Sequence, residues 1–570
     1  MTGAEAPWPT SIGAMKASSG DRRLPSWATL RSDAVAGIPG AIAGVPDGMA
    51  ASVLAGVNPI HGLYASFAGP IVGGAAASTQ LMVITTTSAA ALAAGEAIAT
   101  LPASERSGAL FLLTLLAGTA MIVAGVVRLG RYTRFVSHSV MVGFLSGVAV
   151  NIVLGQIPDL TGTRGQATGT LAIQKAASVL LHPRWIDIPT LLTGLSAIAI
   201  VVVLRPTRFS KVGALLSLIV PTAIAAALDA NVATVAGGAV IPTGIPLPAL
   251  PNLDLVSVHL LVGALSVAAI VLVQGAGVSE SAPNLDGSRT EQNRDFIAQG
   301  LGNLASGLFQ GQPVGGSVGR TALNVSTGAR TRWAAIASGV WMIAILVAFS
   351  GLIGKVAMAT LAGLLIAAAV GALRAGEMLT IMRTSATSRI ALLTTFIATL
   401  VLPIPAAVGI GVALSLLLQL NQDAMDLTVV ELVPTPEGRW QERPSPAVLE
   451  GRHVTLLDAY GSLLYAGAKT LDRRLPDPAE VDTPVVVLRL RGRTTLGSTF
   501  FTVVDDYAGR LHALGGRLYL SGVSPELAEQ MRAARVVEHT EGLHIVEATP
   551  VLGESSLEAY DQATSWLAGR

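Results

Sequence analysis

The sequence predicts a polytopic α-helical membrane domain followed by a small soluble α/β domain. Three observations carry that expectation. Of 570 residues, 51% are hydrophobic and only 13% are charged, against roughly 25% charged in an average globular protein. Apolar runs near the roughly 20 residues that cross a bilayer as a helix recur from Asp33 to Asn421. From Gln422 onward, charges and short strand-like runs return. Residues 1–32 are therefore expected to form a cytoplasmic segment, 33–421 the membrane domain, 422–450 a linker and 451–570 the soluble domain.

The apolar segments fall near 33–53, 57–77, 80–100, 108–127, 136–155, 188–204, 212–228, 255–278, 296–311, 317–329, 334–351, 356–373, 388–402 and 405–420. That makes about fourteen, several too short to span alone. The stretch before them contains Asp21, Arg22, Arg23 and Pro25 but no apolar core, so the first spanning helix, not a cleavable signal, is expected to direct insertion. Basic residues orient the rest. With the N-terminus inside, cytoplasmic loops hold Arg128, Arg131, Arg134, Arg205, Arg208, Lys211, Arg289, Arg294, Arg330, Arg332, Arg374, Arg383 and Arg389. The opposite side holds only Arg106, Arg164, Lys175, Arg184 and Lys355. Both termini are thus expected in the cytoplasm.

Two segments are interrupted. Thr79 to Ser88 places hydroxyls within an apolar run, and Pro313 to Thr321 places glycines and Arg320 there. They stand third in the first set of seven segments and third in the second. A short echo, Asn58-Pro-Ile-His-Gly-Leu-Tyr64 against Asn303-Leu-Ala-Ser-Gly-Leu-Phe309, also suggests two repeats. Paired interruptions at corresponding positions of two halves point to a transport site near the bilayer midplane.

Asp33-Ala-Val-Ala-Gly-Ile-Pro39, Val45-Pro-Asp-Gly-Met-Ala50, Leu54-Ala-Gly-Val-Asn-Pro-Ile-His-Gly-Leu-Tyr64, Ile297-Ala-Gln-Gly-Leu-Gly-Asn303 and Gly316-Ser-Val-Gly-Arg-Thr-Ala-Leu-Asn324 together resemble the sulfate permease (SulP) family of anion transporters. The resemblance implies two intertwined inverted repeats of seven helices, as in uracil permeases. It implies a core of segments 1–4 and 8–11, a gate of segments 5–7 and 12–14, a homodimer, and movement of core against gate.

The tail reads as α/β. Strands are expected at His453–Asp458, Val485–Leu490 and Arg517–Leu520, with helices at Phe500–Leu514 and Pro525–Arg535. It resembles the STAS domain that follows the membrane part in SulP proteins. The usual Asp-Ser-Thr/Ser-Gly turn of that domain would fall at Gly497-Ser498-Thr499, where the aspartate is missing; a structural, dimer-contacting domain is preferred to a phosphorylated Ser498.

An anion crossing a bilayer needs its hydration replaced, and a helix N-terminus supplies free N–H donors and a partial positive charge. Half-helices starting near Thr85 and Ser317 can supply two. The expected substrate-binding set is Thr85, Thr86, Thr87, Gly316, Ser317, Val318, Gly319 and Arg320. The threonines can equally be helix-packing hydroxyls, and Arg320 a bridge between helices or a snorkelling cation. Asp47, after Pro46 and before Gly48, is expected to loosen the first helix locally and to face the interior. SulP proteins often carry glutamine there, and the segment-eight acid of many bacterial members corresponds to Gln274 here, so acid and amide are exchanged. A carboxylate withdrawn from water tends to neutralise by taking up a proton. Asp47 is therefore the expected proton carrier, with Glu280 as a weaker substitute and Gln274 lining the pocket; the alternative is a permanent Asp47–Arg320 bridge.

His61 and His138, near segment ends, are expected to be packed or interfacial. No cofactor, no metal and no nucleic acid is expected; zero cysteines exclude disulfides and cysteine nucleophiles. The reading is a secondary anion transporter, not an enzyme, coupling protons to a dicarboxylate or sulfate-like oxyanion in a bacterial inner membrane. An uncoupled exchanger or channel, and a sensor or scaffold signalling through the tail, are the alternatives.

Overall fold

A computed structural model of the chain describes residues 26–169, 171–207, 209–235, 244–282, 284–425, 427–435, 439–478, 481–493, 496–533 and 541–570. The N-terminal charges through Pro25, and Arg208, lie outside the described residues. The chain divides into two compact units, Met1–Ser415 and Leu416–Arg570.

The first unit opens with α1 (Trp27–Leu54), where the Ser26 hydroxyl accepts from Thr29 N–H at 3.2 Å and so fills one orphan donor. Pro39 and Pro46 lie inside this helix. The loosening expected at Pro46 does not become a break. A proline removes one backbone donor, and the helix continues through it to Leu54 on the remaining bonds. There follow α2 (Ile60–Ala68), a π-helical turn at Gly69–Gly73, α3 (Gly74–Ala76), β1 (Ile84–Thr86), α4 (Ser88–Ile98), α5 (Ala103–Val126), α6 (His138–Leu160), α7 (Ala172–Leu181), α8 (Ile188–Leu204) and α9 (Ser210–Ala227). The second half comprises α10 (Val258–Ser281), α11 (Gln292–Leu308), β2 (Val314–Gly316), α12 (Val318–Ser326), α13 (Trp333–Ile353), α14 (Met358–Ala372), α15 (Ala375–Met382), α16 (Ala386–Val401) and α17 (Ile404–Met425), the last running into the second unit.

Each apolar segment overlaps at least one helix, while α7 and α15 lie outside those segments. Among the described residues, five stretches are long and apolar enough to cross a membrane: α1, α5, α6, α10 and Met358–Met382. The two interrupted segments are each a three-residue strand followed by a short helix. The Asn58 and Asn303 echo does not mark the repeat. Asn58 stands just before α2 begins, whereas Asn303 lies near the end of α11, so the shared residues occupy opposite ends of their helices.

Small residues let these helices touch. A β-carbon on Gly62 would collide with the backbone carbonyl of Gly48, so α1 and α2 meet backbone to backbone. Gly62→Val is expected to exceed the usual overpacking cost of about 1–3 kcal/mol, because a carbonyl cannot rotate away as a side chain can. Gly319→Ala, where an added carbon meets open space, is the control. Size-exclusion profiles of the two variants check this: Gly62→Val should lose its monodisperse peak and Gly319→Ala should keep it.

Buried polar groups hold the strand–helix connections. The Asp295 carboxylate accepts from the N–H groups of Ser78 (2.6 Å) and Thr79 (3.0 Å) and from the hydroxyl of Ser279 (3.1 Å). Asp33 accepts from Arg330 N–H at 2.8 Å. The Asp295 carboxylate thereby serves donors that would otherwise be buried unpaired.

The second unit is a six-stranded sheet of order β4-β3-β5-β6-β7-β8, with strands β3 (Thr428–Pro434), β4 (Trp440–Pro444), β5 (Val454–Tyr460), β6 (Val485–Arg489), β7 (Arg517–Val523) and β8 (Leu543–Glu547). β5 to β8 run parallel, and β3 is antiparallel to both its neighbours. The stretch expected as a linker therefore contributes β3 and β4 to the sheet. Helices α18 (Tyr465–Arg474), α19 (Ser498–Ala513), α20 (Pro525–Ala533) and α21 (Glu554–Ala568) complete the unit. Phe500, Val504, Tyr507 and Leu511 of α19 are buried, and burial pushes the Tyr507 phenol above its ordinary range while its hydroxyl donates to the Pro476 carbonyl at 2.8 Å. Ser498 opens α19 as its first residue, with Gly497 at the cap.

Candidate functional site: a cavity at two facing half-helices

β1 and β2 pair antiparallel, Ile84 with Gly316, Thr85 with Gly315 and Thr86 with Val314. Where the ladder ends, both chains turn into helix. The Thr87 hydroxyl accepts from Ala90 N–H and the Ser317 hydroxyl from Arg320 N–H, each at 3.4 Å, capping α4 and α12. The remaining first-turn N–H groups of two helices are thereby brought to one place.

α11 fixes β2 from behind. Asn303 Nδ2 donates to the Val314 carbonyl (2.7 Å), Val314 N–H donates to Asn303 Oδ1 (3.0 Å), and Gly316 N–H donates to Gln299 Oε1 (2.9 Å). Both side chains are fully buried. These amides were legible only as part of a family-like motif; their work is to pair the backbone of a strand too short to satisfy itself.

A cavity of about 690 Å³ opens at the two helix starts. Thr86, Thr87, Ser317, Val318, Gly319, Asp47 and Gln274 line it, so seven expected residues from four separate chain segments meet. Asp47 leaves 45% of its side chain exposed there. Of the expected substrate-binding set, three residues do not line it. Thr85 and Gly316 are buried within the two-stranded ladder, and Arg320 turns back toward α1. Its Nη2 donates to the Gly40 carbonyl, and its Nη1 lies 3.8 Å from Asp47 Oδ2. That distance gives charge attraction without a hydrogen bond, and among the described residues Nη1 has no hydrogen-bond partner. Gln274 Oε1 is likewise buried, with no hydrogen-bond partner among the described residues. Glu280 is not brought to the site: at the end of α10 it accepts from Gln292 Nε2 at 3.4 Å in an exposed position.

The opposite wall is apolar, from Leu145, Val148 and Ile152 of α6 and Leu364, Leu365 and Ala369 of α14. Arg374 and Glu377 also line the cavity, joined at 3.2 Å, with His138 Nε2 3.4 Å from the same carboxylate oxygen. Sequence reasoning took Arg374 for a loop charge and missed Glu377; its signal was an acid three positions after an arginine beside an apolar segment. His61 is packed, its Nδ1 2.8 Å from the Gln310 carbonyl and its ring edge-on to Phe111. Among the described residues no cluster of histidines and acids could hold a metal.

The arrangement can bind an anion: free helix-start N–H groups, the four hydroxyls of Thr86, Thr87, Ser88 and Ser317, and a cation one layer behind. The model of the sulfate permease family matches residues 30–399. The chain belongs to this family. It is accordingly an anion transporter, not an enzyme. It is 27% identical to a probable sulfate transporter of Mycobacterium tuberculosis over 91% of this chain and 94% of that one. It is 23% identical to the bicarbonate transporter BicA of Synechocystis, over 77% and 78% respectively. In fold it is similar to the murine anion transporter Slc26a9 in its inward-facing state, with a TM-score of 0.79 at 15% identity over 96% of this chain and 93% of the other. The transmembrane domain of a cyanobacterial BicA matches with a TM-score of 0.58 at 18% identity, over 69% and 98%. The sulfate permease chain thus has the helical membrane fold of these proteins, and its C-terminal sheet fits the STAS-like domain expected from sequence.

Proposed function

We propose that this protein is a secondary active symporter that couples protons to the uptake of an oxyanion, a C4-dicarboxylate or a sulfate-like ion, by alternating access. The observation that carries the reading is the meeting of Asp47 with both helix starts in one cavity, with Arg320 3.8 Å behind the carboxylate. When Asp47 is charged it offsets Arg320 and repels an incoming anion. When it takes up a proton the site becomes net positive and the anion is held by Thr86, Thr87, Ser317 and the N–H groups of Val318 and Gly319. An apolar wall on α6 and α14 gives the loaded half a surface to slide on, the motion of core against gate implied by the family resemblance. On this reading the protein acts as a homodimer in the inner (plasma) membrane, with cytoplasmic termini supported by the basic loops.

Purified protein in proteoliposomes tests it. Radiolabelled succinate and sulfate, offered with an inward proton gradient, should accumulate above equilibrium for at least one of the two, and a protonophore should collapse the accumulation. Equilibration without accumulation would make the protein an exchanger or a channel; no movement of any anion would favour a sensor.

A further inference from the structure

A second cavity, about 530 Å³, lies in the first unit between α1, α9 and α13. Its size is within the about 300–1,000 Å³ of small-molecule sites, yet its lining is almost wholly apolar: Val45 and Met49 of α1, Leu218 and Ala223 of α9, Ile345 and Phe349 of α13 among others. Among the described residues, only two polar ones reach it. The Thr222 hydroxyl is engaged, accepting from Ala357 N–H at 3.1 Å. Lys355, two residues beyond α13, is exposed and has no carboxylate within ion-pair distance among the described residues.

The cavity opens outward. α13 loses helical geometry at Phe349 (φ −126, ψ 16), and its last turn leaves Phe349 53% and Leu352 58% exposed beside Ile219 at 52%. In a membrane domain such side chains face acyl chains, not water. An apolar slot of this kind stays dry, and its walls forfeit dispersion contacts until something apolar fills it. The slot also uses the back of α1. Val45 and Met49 are one turn apart on one face, whereas Asp47, Ala50 and Ala51 face the anion cavity from the other.

We infer that the slot between α1, α9 and α13 binds one acyl chain of an anionic phospholipid, with the lipid's phosphate against Lys355. The apolar lining takes the chain, and the unpaired ammonium at its end selects a head group of negative charge. A zwitterionic lipid offers the same chain without the net charge, and a soluble anion offers the charge without the chain. The assignment does not depend on the proton-coupled reading, since the test measures lipid binding and not transport.

The full chain in phosphatidylcholine nanodiscs is doped with phosphatidylglycerol bearing a diazirine on one acyl chain, irradiated, and the labelled peptides mapped. Label is expected to concentrate on α1, α9 and α13. Ala223→Phe, which fills the slot, should remove it there while leaving background labelling elsewhere. Lys355→Gln should lower slot labelling by about fivefold, the worth of one lysine near an anionic surface, and abolish the preference over a diazirine phosphatidylcholine. Should Ala223→Phe fail to fold, Lys355→Gln still decides, because an exposed side chain can change without disturbing packing. Label spread evenly over apolar helices, or slot label unchanged in Lys355→Gln, would overturn the assignment.

Discussion

Asp47→Asn is expected to leave the protein folded and able to bind anion, but to make uptake insensitive to the proton gradient. The amide is close in shape to the carboxylate and mimics its protonated form, and 45% of the Asp47 side chain already meets the open cavity, so little packing is disturbed. In the unaltered protein, lowering the external pH should accelerate uptake by up to about tenfold per unit on the steep part of the titration, as for any single-site protonation. The variant should show a flat profile, with anion equilibrating and no longer accumulating. The measurement is the initial rate of labelled-anion uptake between pH 5 and pH 8, beside anion affinity measured on the same samples. Full pH dependence in the variant would move the proton elsewhere, with Glu377, which lines the same cavity beside His138, as the next candidate.

Arg320→Ala should abolish transport, with uptake falling by about a hundredfold or more, corresponding to about 2.7 kcal/mol of lost binding to the translocated anion. Loss of function alone would not separate an anion-attracting cation from a helix bridge, because Arg320 also satisfies the Gly40 carbonyl on α1. Breaking a fully buried ion pair costs about 3–5 kcal/mol. Here only the arginine is desolvated, with 10% of its side chain exposed against 45% for Asp47, so the stability loss should be smaller. The double variant Arg320→Ala with Asp47→Asn decides. If the pair only bridges helices, removing both charges recovers the stability lost to the unpaired carboxylate and returns uptake to the Asp47→Asn level, with only the Gly40 contact still missing. If Arg320 attracts the anion, stability returns and uptake does not.

The residues of the anion cavity were legible to different depths. Asp47 stood out because a carboxylate inside an apolar run is costly, and Gln274 because the family-like motif on α11 allowed counting back to it. Thr86, Thr87 and Ser317 were marked by hydroxyls and glycines interrupting apolar segments. Arg320 was found but misplaced. It follows the three lining residues Ser317 to Gly319, and one further step around the helix, about 100° at 3.6 residues per turn, carries its side chain to α1. Thr85 and Gly316 read like their neighbours in sequence because alternation along a strand cannot be seen before the strand is known. Gln299 and Asn303 carried no recognisable signal for their task, since a buried amide on a helix reads the same whether it serves a backbone, a neighbour or a substrate.

In the tail, β5, β6 and β7 were legible as short runs of branched aliphatics, whereas β3 and β4 were read as linker. The charges of Trp440–Pro444 look like a loop, and β4 is indeed an exposed edge strand, held mainly by its ladder to β3.

By itself the sequence determined that this chain is a membrane protein, which segments are apolar, which two are interrupted and which intramembrane charges require a partner. These follow from composition over windows of about 20 residues, where transfer energy is local and additive. Only the tertiary structure decided which of those groups share a cavity. Pairing Ile84–Thr86 with Val314–Gly316 and the rotational phase of each helix depend on contacts between residues far apart in the chain. That same phase gives α1 one face to the anion cavity, through Asp47, and the other to the apolar slot, through Val45 and Met49.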